Sequence, residues 1–167
     1  LYGTQFEGNS MRAQLGVEVE PFEMLEMTRL AETVTKAELD AGIAYVRENW
    51  SFEKPCDDAV IENGVRYALA VGKKIRERGW DALTLIDVDG MKKLEGFPPA
   101  MVFILLEHYY HVLTTPENDV MGCVTQLIMK YLSGQTVPYL EYYEFFEDSV
   151  IAGVPDYIPE PATDGPI

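Results

Sequence analysis

Histidine and cysteine are scarce in this chain of 167 residues: His108, His111, Cys56 and Cys123 are all it has. The two cysteines stand far apart and belong to no paired motif. Reduced thiols of a cytoplasmic protein are the expected state, with a single disulfide as the alternative. Basic residues are few as well, 13 Lys and Arg against 28 Asp and Glu, and the net charge of −15 argues against nucleic acid or an anionic membrane as a partner. No apolar run reaches the roughly 20 residues that a membrane helix needs, and the opening residues do not read as a signal peptide. No Gly-rich phosphate loop opens a helix, and there is no nucleophile elbow. What remains is 47% hydrophobic and 25% charged, a globular composition with enough chain to bury a core. Because it opens on Leu1 rather than Met, we expect a processed chain or a piece of a longer one.

The periodicity alternates between helix and strand. Leu1–Phe6 reads as a strand followed by a polar loop at Glu7-Gly8-Asn9-Ser10, and Leu15–Pro21 as a second strand through Val17 and Val19. Phe22–Ala31 reads as a helix. Thr35-Lys36-Ala37-Glu38 fits a capping box, with Leu39, Ile43, Val46 and Trp50 as one apolar stripe behind it. A helix over 59–78 carries Ile61, Val65, Ala68, Gly72 and Ile75 on one face. Its last turn is basic (Lys73, Lys74, Arg76, Arg78), as expected of a solvated helix end, and Gly79 closes it. Ala82–Ile86 reads as a strand covered on both faces, and Asp87-Val88-Asp89-Gly90 as the acidic turn that ends it. A helix over 99–111, a short strand over 112–115 and a helix over 120–133 follow, the last with Val120, Val124, Leu127, Ile128 and Tyr131 as its stripe. Val137–Glu147 and Val150–Val154 then read as a β-hairpin. A lone hairpin is barely stable in water and needs a partner surface.

Two acidic strand ends stand out. Asp87 and Asp89 follow one strand; Glu117 and Asp119, in Thr115-Pro116-Glu117-Asn118-Asp119, follow the other. Ligands of open α/β sheets bind at the carboxyl ends of strands. Clustered carboxylates there suit a hard, oxygen-liganded cation such as Mn²⁺ or Mg²⁺. The plainer role is capping: Asn118 or Asp119 can cap the helix behind them, whose N-terminus tolerates acids. Glu107-His108-Tyr109-Tyr110-His111 lacks the order and spacing of the zinc-protease motif, so its histidines are read as ordinary residues of a helix end. Cys123 is read as core.

Several of these segments, in this order, resemble the L-arabinose isomerase and L-fucose isomerase superfamily. They are Leu15-Gly16-Val17-Glu18-Val19, Thr35–Trp50, Gly79-Trp80-Asp81-Ala82-Leu83-Thr84, Asp87-Val88-Asp89-Gly90-Met91-Lys92-Lys93-Leu94, and Glu117-Asn118-Asp119 with Gly122. The likeness is to the family's central domain and the start of its C-terminal domain. It implies a doubly wound (Rossmann/flavodoxin-like) three-layer α/β domain over 1–134. Residues 135–167 would form a β-hairpin and irregular tail, the start of an incomplete β domain. It further implies aldose–ketose isomerisation of L-fucose, L-arabinose or a related sugar through a cis-enediol, assisted by Mn²⁺, in a cytoplasmic homo-oligomeric parent. Glu117 and Asp87 are then the catalytic candidates and Glu117, Asp119, Asp87 and Asp89 the metal candidates, with Glu95 as a further alternative for the first carboxylate. The family's metal-binding histidine lies in its C-terminal domain, and nothing after Glu117 in this chain is histidine, so the isolated chain is expected to be inactive. Two other readings stand beside this one: a non-catalytic sugar-binding or oligomerisation module, and a flavodoxin-like regulatory domain.

Overall fold

The computed structural model describes residues 7–154 and 157–163, so the expected strand Leu1–Phe6 lies outside the described residues. The described elements run α1 (Gly8–Leu15), α2 (Met24–Ala31), α3 (Lys36–Asn49), α4 (Asp58–Arg78) and β1 (Ala82–Thr84). A π-helix (Asp87–Glu95), α5 (Ala100–Tyr110), β2 (Leu113–Thr115), α6 (Val120–Ser133), β3 (Glu141–Phe145) and β4 (Val150–Gly153) follow, and a 3₁₀ turn (Glu160–Ala162) comes last.

The middle helices follow their sequence signals closely. Thr35 caps α3 and Glu38 reaches back to the Thr35 N–H (2.8 Å), a complete capping box. Asp57 accepts the Ala59 N–H at 2.9 Å to start α4, and Gly79, in the left-handed region at φ +69°, donates to the Ile75 carbonyl to stop it. The whole expected α4 stripe is buried, and Tyr67, Ala70 and Val71 are buried beside it. The buried face is that wide because α4 packs on α2 and α3 on one side and on α5 on the other. The basic end of α4 is less solvated than expected. Lys74 is buried, with its ammonium 2.7 Å from Glu26 and 3.4 Å from Glu77, and Lys73 reaches Glu38.

β1 and β2 pair in parallel, with Ala82 opposite Leu113, Leu83 opposite Thr114 and Thr84 opposite Thr115. α5 packs on β2, and α6 packs on both strands. A second, antiparallel sheet is the β3–β4 hairpin, irregular between Tyr142 and Glu144. The described architecture is therefore mixed α/β with two small sheets.

Four expectations change. Glu7–Ser10 is not a loop but the start of α1: Glu7 folds its carboxylate onto the N–H groups of Asn9 (3.1 Å) and Ser10 (2.6 Å). A Glu caps here in the way that Asp or Ser usually does. The expected strand over Leu15–Pro21 is irregular chain after α1, with Val17 and Val19 packed on a small cluster of Met11, Val120 and Val124. The acidic turn at Asp87 is the first turn of the π-helix, with the Met91 N–H bonded five residues back to the Ile86 carbonyl at 3.1 Å. On α6 the buried set is Val120, Cys123, Val124 and Gln126, whereas Ile128 and Tyr131 are exposed.

The segment 157–163 returns to the core. Tyr157 is buried, packs its ring 5.0 Å from Phe103 and bonds the Thr114 hydroxyl at 2.9 Å. Glu160 accepts hydrogen bonds from the Tyr45 hydroxyl and the Trp50 indole N–H, both at 3.2 Å, and lies 2.8 Å from His108 Nδ1.

Two outcomes test this packing. A Cβ added at Gly72 would fall inside the Tyr110 ring, so Gly72→Ala should lower unfolding stability by about 1–3 kcal/mol in urea denaturation. In the capping box, Thr35 hydrogen bonds, the backbone one foremost, and Lys73 hold the Glu38 carboxyl down at about 2 against an ordinary 4.5. A carboxyl depressed in the folded state stabilises above its unfolded value, and that contribution fades as pH falls toward about 2. The urea midpoints of Glu38→Gln and the unaltered chain should therefore differ at pH 7 and converge near pH 2.

Candidate functional site: two acidic strand ends

β1 and β2 run the same way, so both of their acidic continuations emerge at one end of the sheet. The chain after β2 crosses the chain after β1 there. Asn118 N–H donates to the Leu85 carbonyl at 2.8 Å, and the Thr84 hydroxyl donates to the Pro116 carbonyl at 3.4 Å. To make this crossing, Glu117 and Asn118 both take left-handed backbone, at φ +62° and +56°. Asn visits that region readily, but for Glu it costs about 1–2 kcal/mol, so the turn needs support.

Asp87 supplies it. Its side chain is 1% exposed. Oδ1 accepts the Glu117 N–H at 3.0 Å, and Oδ2 accepts from the Lys92 ammonium at 3.1 Å. Lys92 comes five residues after Asp87, within the π-helix.

The remaining acids have separate surroundings. Asp119 caps α6: Oδ1 accepts the Gly122 N–H at 2.8 Å, and Oδ2 accepts the Tyr139 hydroxyl at 3.2 Å. A side chain at Gly122 would meet both the Asp119 carboxylate and the Tyr139 ring, which explains glycine there. The Tyr139 phenol is pushed well above its ordinary range, first by burial and then by the charge of Asp119, with smaller contributions that include Glu117. Asp89 is exposed and paired with Lys93 at 2.5 Å, and the Lys93 hydrogen bond lowers its pKa. Glu95 faces α2 and α4, accepting from the Thr28 hydroxyl (3.1 Å) and the Tyr67 hydroxyl (2.6 Å). Burial, with the Glu95 bond behind it, raises Tyr67 to about 12.

Of the expected site residues, Asp87 and Glu117 are thus in direct contact, and Asp119 follows Glu117 on the same turn. Asp89 and Glu95 are bonded elsewhere. Among the described residues no three His, Cys, Asp or Glu side chains converge in a way that could hold a metal ion. The donor chemistry agrees. An ammonium sits on one oxygen of Asp87 and a backbone N–H on the other, and a dication would compete with that ammonium for the same lone pairs. The described residues alone do not make a complete cation site.

Two residues at this end lay outside the expected set, Lys92 and Tyr139. Lys92 is invisible to a 3.6-residue period because its contact with Asp87 runs along a π-helix. Tyr139 arrives from beyond α6, where only an alternation of aromatic and acidic residues marked a hairpin.

At the opposite end of β2 lies a cavity of about 350 Å³ between Glu107, His108, Lys130, Val137, Glu160 and Pro161. Glu107 accepts the Thr114 N–H (3.0 Å) and hydroxyl (2.8 Å), and burial raises its carboxyl above the ordinary range. His108 is tied to Glu160 and Tyr45, while His111 is the exposed cap of α5 at φ +54°. Both cysteines are free thiols, and Cys123 is buried as expected.

No protein-family model and no curated protein sequence matches this chain.

The Asp119 carboxylate should be measurable as a helix cap. Asp119→Ala removes the acceptor for the Gly122 N–H and should cost about 1 kcal/mol in urea unfolding. Asp119→Asn keeps the acceptor and should cost much less.

Proposed function

We propose that this chain is part of a sugar ketol-isomerase that interconverts an aldose and a ketose, with Glu117 at the reacting carbons. The observation that carries the reading is the meeting of two acidic strand ends, Asp87 and Glu117, at the carboxyl end of a parallel strand pair. The resemblance of the Asp87–Leu94 and Glu117–Gly122 segments to the arabinose and fucose isomerase superfamily supplies the reaction class. In this reading β1 and β2 belong to a doubly wound, three-layer sheet, residues 135–167 begin a β-rich domain, and the parent is a homo-oligomer.

The chemistry asked of the chain is a proton shift between adjacent carbons, beside a carbonyl that becomes a hydroxyl. Glu117 would take the proton from the carbon next to the carbonyl and return it to the neighbouring carbon, passing through a cis-enediol. Asp119 holds the α6 N-terminus and orients Tyr139 beside it. A divalent cation such as Mn²⁺, when bound, would polarise the sugar oxygens. Glu117 and Asp119 are the candidate ligands from this chain, with the remaining ligands supplied from elsewhere in the parent.

One observation favours a second reading. Both Asp87 oxygens are occupied by protein donors, as in a relative that keeps the fold as a sugar-binding or oligomerisation module without the chemistry. Calorimetric titration with Mn²⁺ separates the two. Micromolar binding that weakens at least about tenfold in Glu117→Ala supports a retained ligand pair. A chain that takes up no Mn²⁺ leaves the module or a site completed only in the parent. Measurable sugar isomerisation by the isolated chain would overturn the view that its site is shared.

A further inference from the structure

We infer that Asp87 is a positioning residue: its carboxylate clamps the left-handed Glu117–Asn118 turn to the end of β1, and it acts as neither metal ligand nor proton carrier. The inference rests on contacts and holds whether or not the isomerase reading does. It bears on that reading by moving Asp87 out of the reacting set and into its support.

A carboxylate meant to hold a cation presents free lone pairs to a cleft. Asp87 does the reverse. It is almost completely buried, and each oxygen has a donor of its own: the Glu117 N–H on Oδ1 and the Lys92 ammonium on Oδ2. A buried acid with one charged and one neutral donor is compensated within the protein.

The donor on Oδ1 is also informative. Glu117 is a non-glycine residue at positive φ, and Asn118 directly after it is another. This pair is secured to the β1 side of the crossing by the Asp87–Glu117 contact and by the bond from Asn118 N–H to the Leu85 carbonyl. The first depends on a side chain and so can be removed by substitution. Backbone held in a sparsely populated region persists when its surroundings over-determine it, and such places cluster at functional sites. What the turn determines here is the direction in which the Glu117 side chain leaves the sheet.

The π-helix gives the clamp its counter-ion. Its i to i+5 bonding brings Lys92 back over Asp87, so the ammonium and the strained turn lie on opposite sides of one carboxylate. A π-turn at a functional position then has a concrete purpose, the neutralisation of an acid that would otherwise be buried alone.

Amide hydrogen exchange on the isotopically labelled chain tests this. In Asp87→Ala the Glu117 and Asn118 amides should exchange at least about tenfold faster, with the Val65 and Ala68 amides in α4 unchanged. Asp87→Asn alone sets an amide N–H₂ against the Lys92 ammonium and should loosen the turn too. The double variant Asp87→Asn, Lys92→Met removes that conflict and keeps an oxygen for the Glu117 N–H, so protection at Glu117 should return. Unchanged exchange at Glu117 in Asp87→Ala would overturn the clamp, as would failure of the double variant to restore it. If Asp87→Ala unfolds the chain, the double variant still decides. Mn²⁺ titration of the double variant adds the functional arm. A positioning residue predicts affinity recovered toward that of the unaltered chain, whereas a direct ligand predicts affinity no better than in Asp87→Ala. If the unaltered chain binds no Mn²⁺, the exchange data decide the clamp independently.

Discussion

A helix that is apolar on every side has to be surrounded, and α5 is that helix. Six consecutive residues, Met101 to Leu106, are buried, which leaves no face of those turns for water. The neighbours follow from this demand. α4 covers one side, β2 another, and Tyr157 closes over Phe103 from the far end of the chain. Each fully buried side chain of this size contributes about 1.5–3 kcal/mol relative to exposure. The three-residue strands are therefore held by the helices on them more than by their own few ladder bonds. With α6 on both strands and α5 on β2, β1 and β2 end side by side.

At that place electrostatics takes over from packing. The chain carries a net charge of −15, yet the acids at the strand ends are individually accounted for. Asp87 has Lys92 and a backbone N–H, Asp89 has Lys93, Glu95 has two hydroxyls, and Asp119 has a helix N-terminus and Tyr139. Partnering on this scale allows carboxylates to crowd one end of a sheet without unfolding it by repulsion. Asp87, sealed by protein donors, shapes this end of the sheet through its contact with the Glu117 backbone.

Legibility in the sequence followed the range of the interaction. Caps and stripes act within a few residues, so α3 and α4 were readable from Thr35, Glu38, Gly79 and their apolar stripes, while the Asp57 cap was not read. β1 was readable as an apolar run that stops at acids, and β2 as a short strand before Glu117. The π-helix was not, because Asp87-Val88-Asp89-Gly90 carries the residues of a turn and its actual bonding depends on Lys92 meeting a buried charge. The start of α1 was missed for a related reason, since Glu7 caps it with a longer side chain than caps ordinarily use. On α6 the stripe was read too far, as nothing in the local pattern says that Ile128 and Tyr131 face away from the core. The site was half legible. Acids at strand ends could be seen, but their partners, Lys92 and Tyr139, are set by geometry that no spacing rule encodes.

The β3–β4 hairpin keeps Tyr142, Phe145 and Phe146 exposed, alongside the backbone edges of a two-stranded sheet. Such a ribbon is a template for the edge of another chain. It is also the most one-sidedly charged part of the molecule: Glu141, Glu144, Glu147 and Asp148 lie along it, and no Lys, Arg or His follows Lys130. Those carboxylates act as gatekeepers, keeping identical ribbons apart by mutual repulsion while they are ionised. Near the sequence pI of 4.4 the net charge that keeps copies of the chain apart vanishes. The exposed aromatic ribbon is the surface that this repulsion guards.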